Sequence, residues 1–235
     1  MSLFVPPAGY SRIKLVHSFD ELISTRFAGG VNALCWPRTL PGGFEEVLRH
    51  LPAPEGITSL DDETLEELPL IGAGRAAVAF MLDDLHLLRG NDLAPELNHV
   101  NGFLRDADPG LMRTDVASFH ADSATIEADT WLCTYHGATS EGLRNDEAVR
   151  RIDVPETRAA LLKQFGGEDG VAFREFLSGH CYDLHHAPAP GATPFVFGLG
   201  NLWRIATEHP GSPVPPCIHR APDTVAGERR LLLIC

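Results

Sequence analysis

The chain has 235 residues, of which 44% are hydrophobic and 22% are charged, and its formal net charge is −13 at pH 7. This composition is ordinary for a globular protein with one large core, so we expect a single domain and little disorder. The excess of acidic residues repels nucleic-acid backbones and anionic membranes at long range. We therefore expect neither nucleic acid nor membrane as the main partner.

Segments that direct or anchor a protein are not indicated by the sequence. No stretch reaches the roughly 18 consecutive apolar residues of a membrane span, and residues 1–14 lack the charged-then-apolar pattern of a secretory signal. The five cysteines are an odd number and contain no Cys-x-x-Cys pair, so neither a disulfide framework nor a redox motif is indicated. These features predict a cytoplasmic protein.

The first 110 residues are predicted to be a mainly helical scaffold with one or two strands. Ser18 is a suitable N-cap, and apolar residues spaced three and four apart favour helices after it. The predicted elements are helices over 19–27, 44–51, 59–68 and 75–89, and a strand over 31–36. We expect the helices to pack outside a β-rich core that the rest of the chain forms.

Residues 111–235 are predicted to form that core. Residues 130–135 are typical of a strand, and residues 229–235 predict a final strand that is apolar on both faces. An insert over about 143–190 contains two helical patterns separated by Gly166-Gly167, and a loop rich in His, Pro and Gly runs over 180–194. The insert either covers the mouth of a substrate pocket or is a surface excursion, and the sequence leaves both open.

The triplet His120-Ala121-Asp122 and the distal His219 are the candidate metal ligands. A strand places residues i and i+2 on the same face, so we predict that His120 and Asp122 lie on a strand and point to the same side while Ala121 points away. A second strand can bring His219 opposite them. Two histidines and one carboxylate form the facial triad of non-haem iron enzymes, which leaves the remaining positions on the ion open. We predict that these three residues are both the metal ligands and the catalytic residues.

Together with the arginines after His219, this pattern resembles the Fe(II)/2-oxoglutarate-dependent oxygenases. The resemblance covers the C-terminal half and implies an α+β protein with a double-stranded β-helix core, the cupin-like jelly roll. It implies Fe(II) as cofactor, 2-oxoglutarate and dioxygen as co-substrates, and oxidation of a small molecule such as an amino acid or another metabolite. Residues 119–122, 131–135 and 218–222 also resemble a bacterial family of unknown function, which implies no activity.

The same resemblance implies an arginine that binds the distal carboxylate of 2-oxoglutarate. Arg229 and Arg230 are both candidates, because the two faces of the final strand are equally apolar. Similar oxygenases more often place this arginine an odd number of residues after the distal histidine, which favours Arg230. Tyr135 or Thr134 can donate a hydroxyl hydrogen bond to the co-substrate, although Tyr135 suits a core position equally well.

Two other interpretations stay open. A structural zinc site would draw on residues without the regular spacing of paired zinc ligands. Its candidate ligands are His180, Cys181, His185, His186, Cys217 and His219. A cupin-like metal-binding protein that does not turn over 2-oxoglutarate would use the same three ligands as the oxygenase but would need no buried arginine. The sequence indicates no oligomeric state.

Overall fold

The computed structural model describes residues 4–102, 110–223 and 227–235. Over these residues the chain forms a mixed α+β fold with six α-helices and a large, mostly antiparallel sheet. The helices are α1 (Phe19–Ser24), α2 (Phe44–His50), α3 (Asp62–Glu66), α4 (Gly72–Arg89), α5 (Pro155–Phe165) and α6 (Val171–Gly179). None of the described helices combines the length and the apolar character needed to cross a membrane.

Twelve strands are present in the described residues and form three sheets. They are β1 (Ile13–Leu15), β2 (Ala33–Trp36), β3 (Gly56–Leu60), β4 (Glu96–Asn101), β5 (Asp129–His136), β6 (Glu141–Leu143), β7 (Ala148–Arg150), β8 (His186–Pro188), β9 (Phe195–Val196), β10 (Leu202–Ala206), β11 (Ile218–Arg220) and β12 (Arg229–Ile234). The large sheet has the order β1-β2-β10-β5-β12-β4-β3, and within it the β1–β2 pairing is parallel. The order of the small sheet is β11-β6-β9, and β7 pairs with β8.

The two faces of the large sheet have different neighbours. Alternation along a strand places Trp131, Tyr135 and Leu233 on the face that packs against the N-terminal helices in the main hydrophobic core. Leu132 and Ile234 lie on the opposite face, where they line a cavity shared with the small sheet. The sheet therefore separates a helix-covered core from the cavity.

The helices begin where the sequence supplies a cap or an apolar face. The Ser18 hydroxyl accepts a hydrogen bond from the backbone N–H of Glu21, and Asp61 accepts one from Thr64 in the same way. The long helix α4 buries residues spaced three and four apart against the sheet. These buried residues are Ala77, Val78, Met81, Leu85 and Leu88.

Most predicted elements are confirmed, with two corrections. The helices expected over 19–27, 44–51 and 75–89 are α1, α2 and α4, and the strands expected over 31–36, 130–135 and 229–235 are β2, β5 and β12. The helix expected over 59–68 is wrong at its start, because Ser59 and Leu60 end β3 and the helix begins after Asp61. The expectation of one or two N-terminal strands is also wrong, since β1 to β4 supply four strands of the large sheet.

The insert has a small hydrophobic core of its own. Helices α5 and α6 are the two predicted helical patterns, and Gly166 between them adopts a left-handed φ of 74° that ends α5. The buried residues of the insert core are Ile152, Leu161, Phe173 and Leu177. The insert thus packs largely on itself.

A buried ion pair joins the large sheet to α4. The Arg38 guanidinium, which follows β2, donates to the two carboxylate oxygens of Asp84 on α4 at 2.5 and 2.8 Å. The Tyr135 hydroxyl donates to the same carboxylate at 2.7 Å, and the guanidinium lies over the rings of Trp36 and Phe80. Because the charges are buried, each depends on the other for compensation.

We expect Asp84→Asn to lower the free energy of unfolding by about 3 to 5 kcal/mol, because it leaves the Arg38 charge buried without an anion. Urea denaturation of the purified variant measures this loss. Asp83→Asn is the matched control, since Asp83 is the exposed neighbour on the same helix. Equal stability of the two variants would show that the ion pair contributes little to the fold.

Candidate metal site

The three predicted ligands lie together in the structure. Nε2 of His120 is 3.5 Å from Oδ1 of Asp122, and Nε2 of His219 is 3.6 Å from Oδ2 of Asp122. One ligand atom from each residue lies within 4.8 Å of the others. Within the described ranges, this is the one group of three or more His, Cys, Asp or Glu side chains placed closely enough to hold a metal ion.

Backbone pairing brings His120 and His219 together. Each residue donates its N–H to the carbonyl of the other at 2.9 Å, so the two lie directly opposite in an antiparallel bridge. His219 belongs to β11, whereas His120 lies in an extended segment that forms isolated bridges and not the regular strand we expected. The i, i+2 relation that points His120 and Asp122 to the same side still applies, because it requires only extended backbone.

Hydrogen bonds orient two of the ligands. Nδ1 of His120 lies 2.8 Å from the Ser118 carbonyl, which can only accept, so Nδ1 carries a proton and Nε2 is the nitrogen that faces Asp122. The buried Thr130 hydroxyl, on β5, donates to Oδ2 of Asp122 at 2.5 Å. Neither Ser118 nor Thr130 was predicted, because a carbonyl contact and a hydroxyl from a neighbouring strand have no signature in the sequence.

The charges at the site suit a divalent cation. Burial favours the neutral form of Asp122, but the His120 hydrogen bond, the His219 charge and the Thr130 hydroxyl outweigh burial and hold the pKa of Asp122 well below its usual range. Burial lowers the pKa of His219 to about 4 even though Asp122 opposes the shift. Burial also favours the neutral form of His120, but the hydrogen bonds to Asp122 and Ser118 and the Asp122 charge outweigh it and raise the pKa of His120. At neutral pH Asp122 is therefore a carboxylate and His219 a neutral imidazole, the forms that bind metal ions, and a metal ion at Nε2 of His120 would displace a proton shared with Asp122.

A cavity of about 190 Å³ contains the cluster, and Arg230 lines the same cavity. Arg230 is 4% exposed, its Nε donates to the Ala138 carbonyl at 2.7 Å, and its Nη2 has no hydrogen-bond partner among the described residues. Burial lowers the pKa of Arg230 to about 10, which still leaves the guanidinium charged at neutral pH. The remaining lining residues are Ile57, Asn98, Val100, Val116, Leu132, Ser140, Ala221, Leu232 and Ile234.

Two of the predicted co-substrate residues face away from this cavity. Arg229 lies on the helix-covered side of β12 and donates to the carbonyls of Leu48 and Leu51 at the end of α2, at 2.6 and 3.1 Å. Tyr135 also lies on that side, where its hydroxyl binds Asp84. Neither residue is placed to contact a ligand in this cavity, because adjacent positions on a strand alternate between faces. The sequence left open both the choice between the two arginines and a core position for Tyr135.

Thr134 lies on the cavity side of β5 by alternation with Leu132, but it is not among the residues that line the cavity. It is buried, and its hydroxyl oxygen has no hydrogen-bond partner in the described part of the chain. A hydrogen bond from Thr134 to a ligand in the cavity is therefore not supported.

The insert forms backbone hydrogen bonds with the segment that carries His120. Ala121 donates its N–H to the Leu184 carbonyl at 3.0 Å, and His186 donates to the Phe119 carbonyl at 2.8 Å. No insert residue in the described ranges lines the cavity. Of the two roles left open for the insert, covering the pocket mouth is not supported; instead the insert flanks the backbone that carries His120.

The candidate zinc ligands are not brought together among the described residues. Nδ1 of His185 pairs with the Ser118 hydroxyl at 2.7 Å. Nδ1 of His180 lies 2.8 Å from the Phe176 carbonyl, and Nδ1 of His186 lies 3.0 Å from the Leu184 carbonyl. Each of these imidazoles is therefore hydrogen-bonded to a separate partner, and the three do not converge on one point. The zinc interpretation is therefore not supported.

Comparisons of the chain with protein-family models, with curated proteins and with solved structures found no match.

Acidification is expected to destabilise the metal-free protein partly through His185. Burial lowers the pKa of His185 from 6.5 to about 4, so between these values the unfolded chain binds a proton that the folded chain does not. Stability is then lost as pH falls, by about 2 kcal/mol from this residue between about pH 7.5 and pH 5. We expect His185→Asn to remove this part of the pH dependence in urea denaturation with a chelator present.

His17→Asn, which removes an exposed imidazole in the same way, is the matched control for the substitution. If the stability of His185→Asn falls with pH as steeply as that of the parent protein, His185 is not held neutral by the fold.

Proposed function

We propose that this protein is a non-haem Fe(II)- and 2-oxoglutarate-dependent oxygenase that acts on a small molecule. The observation that carries the proposal is Arg230, a buried cation without an acidic partner in the described residues, in the same small cavity as His120, Asp122 and His219. A metal site alone does not need such a cation. A ligand with a carboxylate at one end and a metal-binding group at the other does.

The donor set fits Fe(II). His120, Asp122 and His219 would hold the ion through two imidazoles and one carboxylate, and the remaining positions would stay open to other ligands. When bound, the iron supplies the activation of dioxygen that is coupled to decarboxylation of 2-oxoglutarate. The protein fixes the ligands through the Ser118 carbonyl and the Thr130 hydroxyl.

Arg230 would bind the distal carboxylate of 2-oxoglutarate. Burial lowers the pKa of the Arg230 guanidinium to about 10, well below its ordinary value, which corresponds to a cost on the order of 3 kcal/mol at neutral pH. A ligand carboxylate would offset this cost through paired, charge-assisted hydrogen bonds. The cavity of about 190 Å³ lies below the roughly 300 to 1,000 Å³ of pockets for drug-sized ligands, which suits a short dicarboxylate.

The apolar lining would strengthen these interactions. Leu132, Leu232 and Val100 line the same cavity and offer no competing hydrogen bonds from their side chains. Exclusion of water lowers the local dielectric, so an ion pair with Arg230 would be stronger than at the surface.

The sheet arrangement supports a double-stranded β-helix, the jelly-roll core that this proposal implies. Arg230 comes from the large sheet and His219 from the small sheet, and both line the cavity. A jelly roll likewise places its site between two sheets.

Arg230→Met is expected to weaken 2-oxoglutarate binding at least 100-fold while metal binding persists, because a charge-assisted hydrogen bond contributes about 1.5 to 3 kcal/mol and more than one is lost. The measurement is anaerobic titration of Fe(II) and then 2-oxoglutarate, followed by the visible charge-transfer band of the chelate. The variant should be at least as stable as the parent protein, since it removes a buried charge that lacks an acidic partner.

Arg229→Met is the matched control on the adjacent position. It should leave 2-oxoglutarate affinity within about twofold and lower stability by about 1 to 3 kcal/mol, because the carbonyls at the end of α2 lose their donor. Iron binding without the band in the parent protein would favour the cupin-like metal-binding alternative. Failure to bind iron at all would contradict the site itself.

Thr130→Val is expected to weaken Fe(II) binding about 10- to 100-fold, because Asp122 loses the hydroxyl that fixes one of its oxygens. Thr130→Ser keeps the hydroxyl and should restore most of the affinity. Competition with a chromophoric chelator measures both constants. If the valine variant binds Fe(II) as tightly as the parent protein, the Thr130 contact does not position Asp122.

A further inference from the structure

Exposed aliphatic side chains surround the opening of the cavity. Ile57 is 57% exposed, Val116 is 42% exposed and Ile234 is 39% exposed, and all three line the cavity that holds the metal cluster. Single exposed apolar residues are common, but a group that converges on one opening marks a binding surface. We name Ile57, Val116 and Ile234 the aliphatic rim.

The charged groups inside the cavity are all used by the proposed function. His120, Asp122 and His219 would hold the metal, and Arg230 would hold the co-substrate carboxylate. The other polar residues among the described walls are Asn98 and Ser140, which are both neutral. A charged group on the primary substrate would therefore lose its hydration in the cavity without gaining a partner of opposite charge. This desolvation is unfavourable for binding.

The volume leaves little room beside the co-substrate. The cavity of about 190 Å³ corresponds to about six water volumes, and a short dicarboxylate would fill much of it. Only a narrow part of the primary substrate would then enter, and the rest would lie on the aliphatic rim.

We infer that the primary substrate presents an uncharged aliphatic chain to the cavity and binds by burying that chain against Ile57, Val116 and Ile234. This inference rests on the proposed function and narrows it. Free amino acids are disfavoured, because among the described cavity walls the only charged groups are those that the metal and the co-substrate would already use. Aliphatic alcohols, amides or chains attached to a larger carrier share the favoured chemistry.

A homologous series of straight-chain alcohols, from propan-1-ol to hexan-1-ol, tests the inference. Each alcohol is titrated anaerobically into the protein loaded with Fe(II) and 2-oxoglutarate, and its dissociation constant is read from the change in the charge-transfer band. Each added methylene should tighten binding about fourfold, because burying it contributes about 0.8 kcal/mol. Norvaline and norleucine, which carry the charges of an amino acid, should leave the band unchanged.

Val116→Asn should weaken hexan-1-ol binding at least threefold, whereas Ile71→Asn should not change it, because Ile71 is 82% exposed and lies away from the cavity walls. A band in the parent protein with equal affinities along the series, or with tighter binding of norleucine, would overturn this inference alone. A parent protein that shows no band would overturn the proposed function, and the inference with it.

Discussion

The paired backbone hydrogen bonds between His120 and His219 are the constraint on which the candidate site depends. They fix the two residues as direct neighbours across an antiparallel bridge, so the positions of both imidazoles follow from the backbone and not from side-chain packing alone. Asp122 then reaches the same side through the i, i+2 relation of extended chain. The small sheet anchors one flank of this segment, and the insert anchors the other.

The electrostatics of the cavity follow from how its charges are distributed between the sheets. The anionic Asp122 lies among groups that donate to it, whereas the cationic Arg230 lies on β12 with a single carbonyl acceptor. A protein that optimised stability alone would pair or replace such an arginine, since a buried and unpaired charge is costly. An anionic ligand bound to Arg230 would offset this cost.

Local features of the sequence were sufficient to predict much of the fold. The cap at Ser18, the spacing of apolar residues in α4 and the apolar run of β12 depend on neighbours along the chain, and each was predicted correctly. The start of α3 was not, because sheet pairing with β4 overrides the helical pattern at Ser59 and Leu60. The number of N-terminal strands was underestimated, since short strands such as β1 are stabilised by partners far away in the chain.

In the candidate site too, features that depend on neighbours along the chain were predicted, and features that depend on distant strands were not. The cluster of His120, Asp122 and His219 was predicted because the residue types and their spacing carry the signal. The choice between Arg229 and Arg230 needed the phase of β12, which packing against α2 determines. Thr130 and the rim residue Ile57 come from strands whose relation to the site is visible only in three dimensions, so no pattern in the sequence indicated them.

The independent core of the insert has a consequence for dynamics. A segment with its own small core can open as a cooperative unit at a lower free energy than global unfolding. Opening the insert would break the hydrogen bonds of Ala121 and His186 that flank His120. Any ion held by His120 would therefore favour the closed insert by thermodynamic linkage. The amide protons of the insert would then exchange more slowly with solvent when an ion is bound. Opening of the insert and ion binding at His120 would thus be coupled, and each would shift the equilibrium of the other.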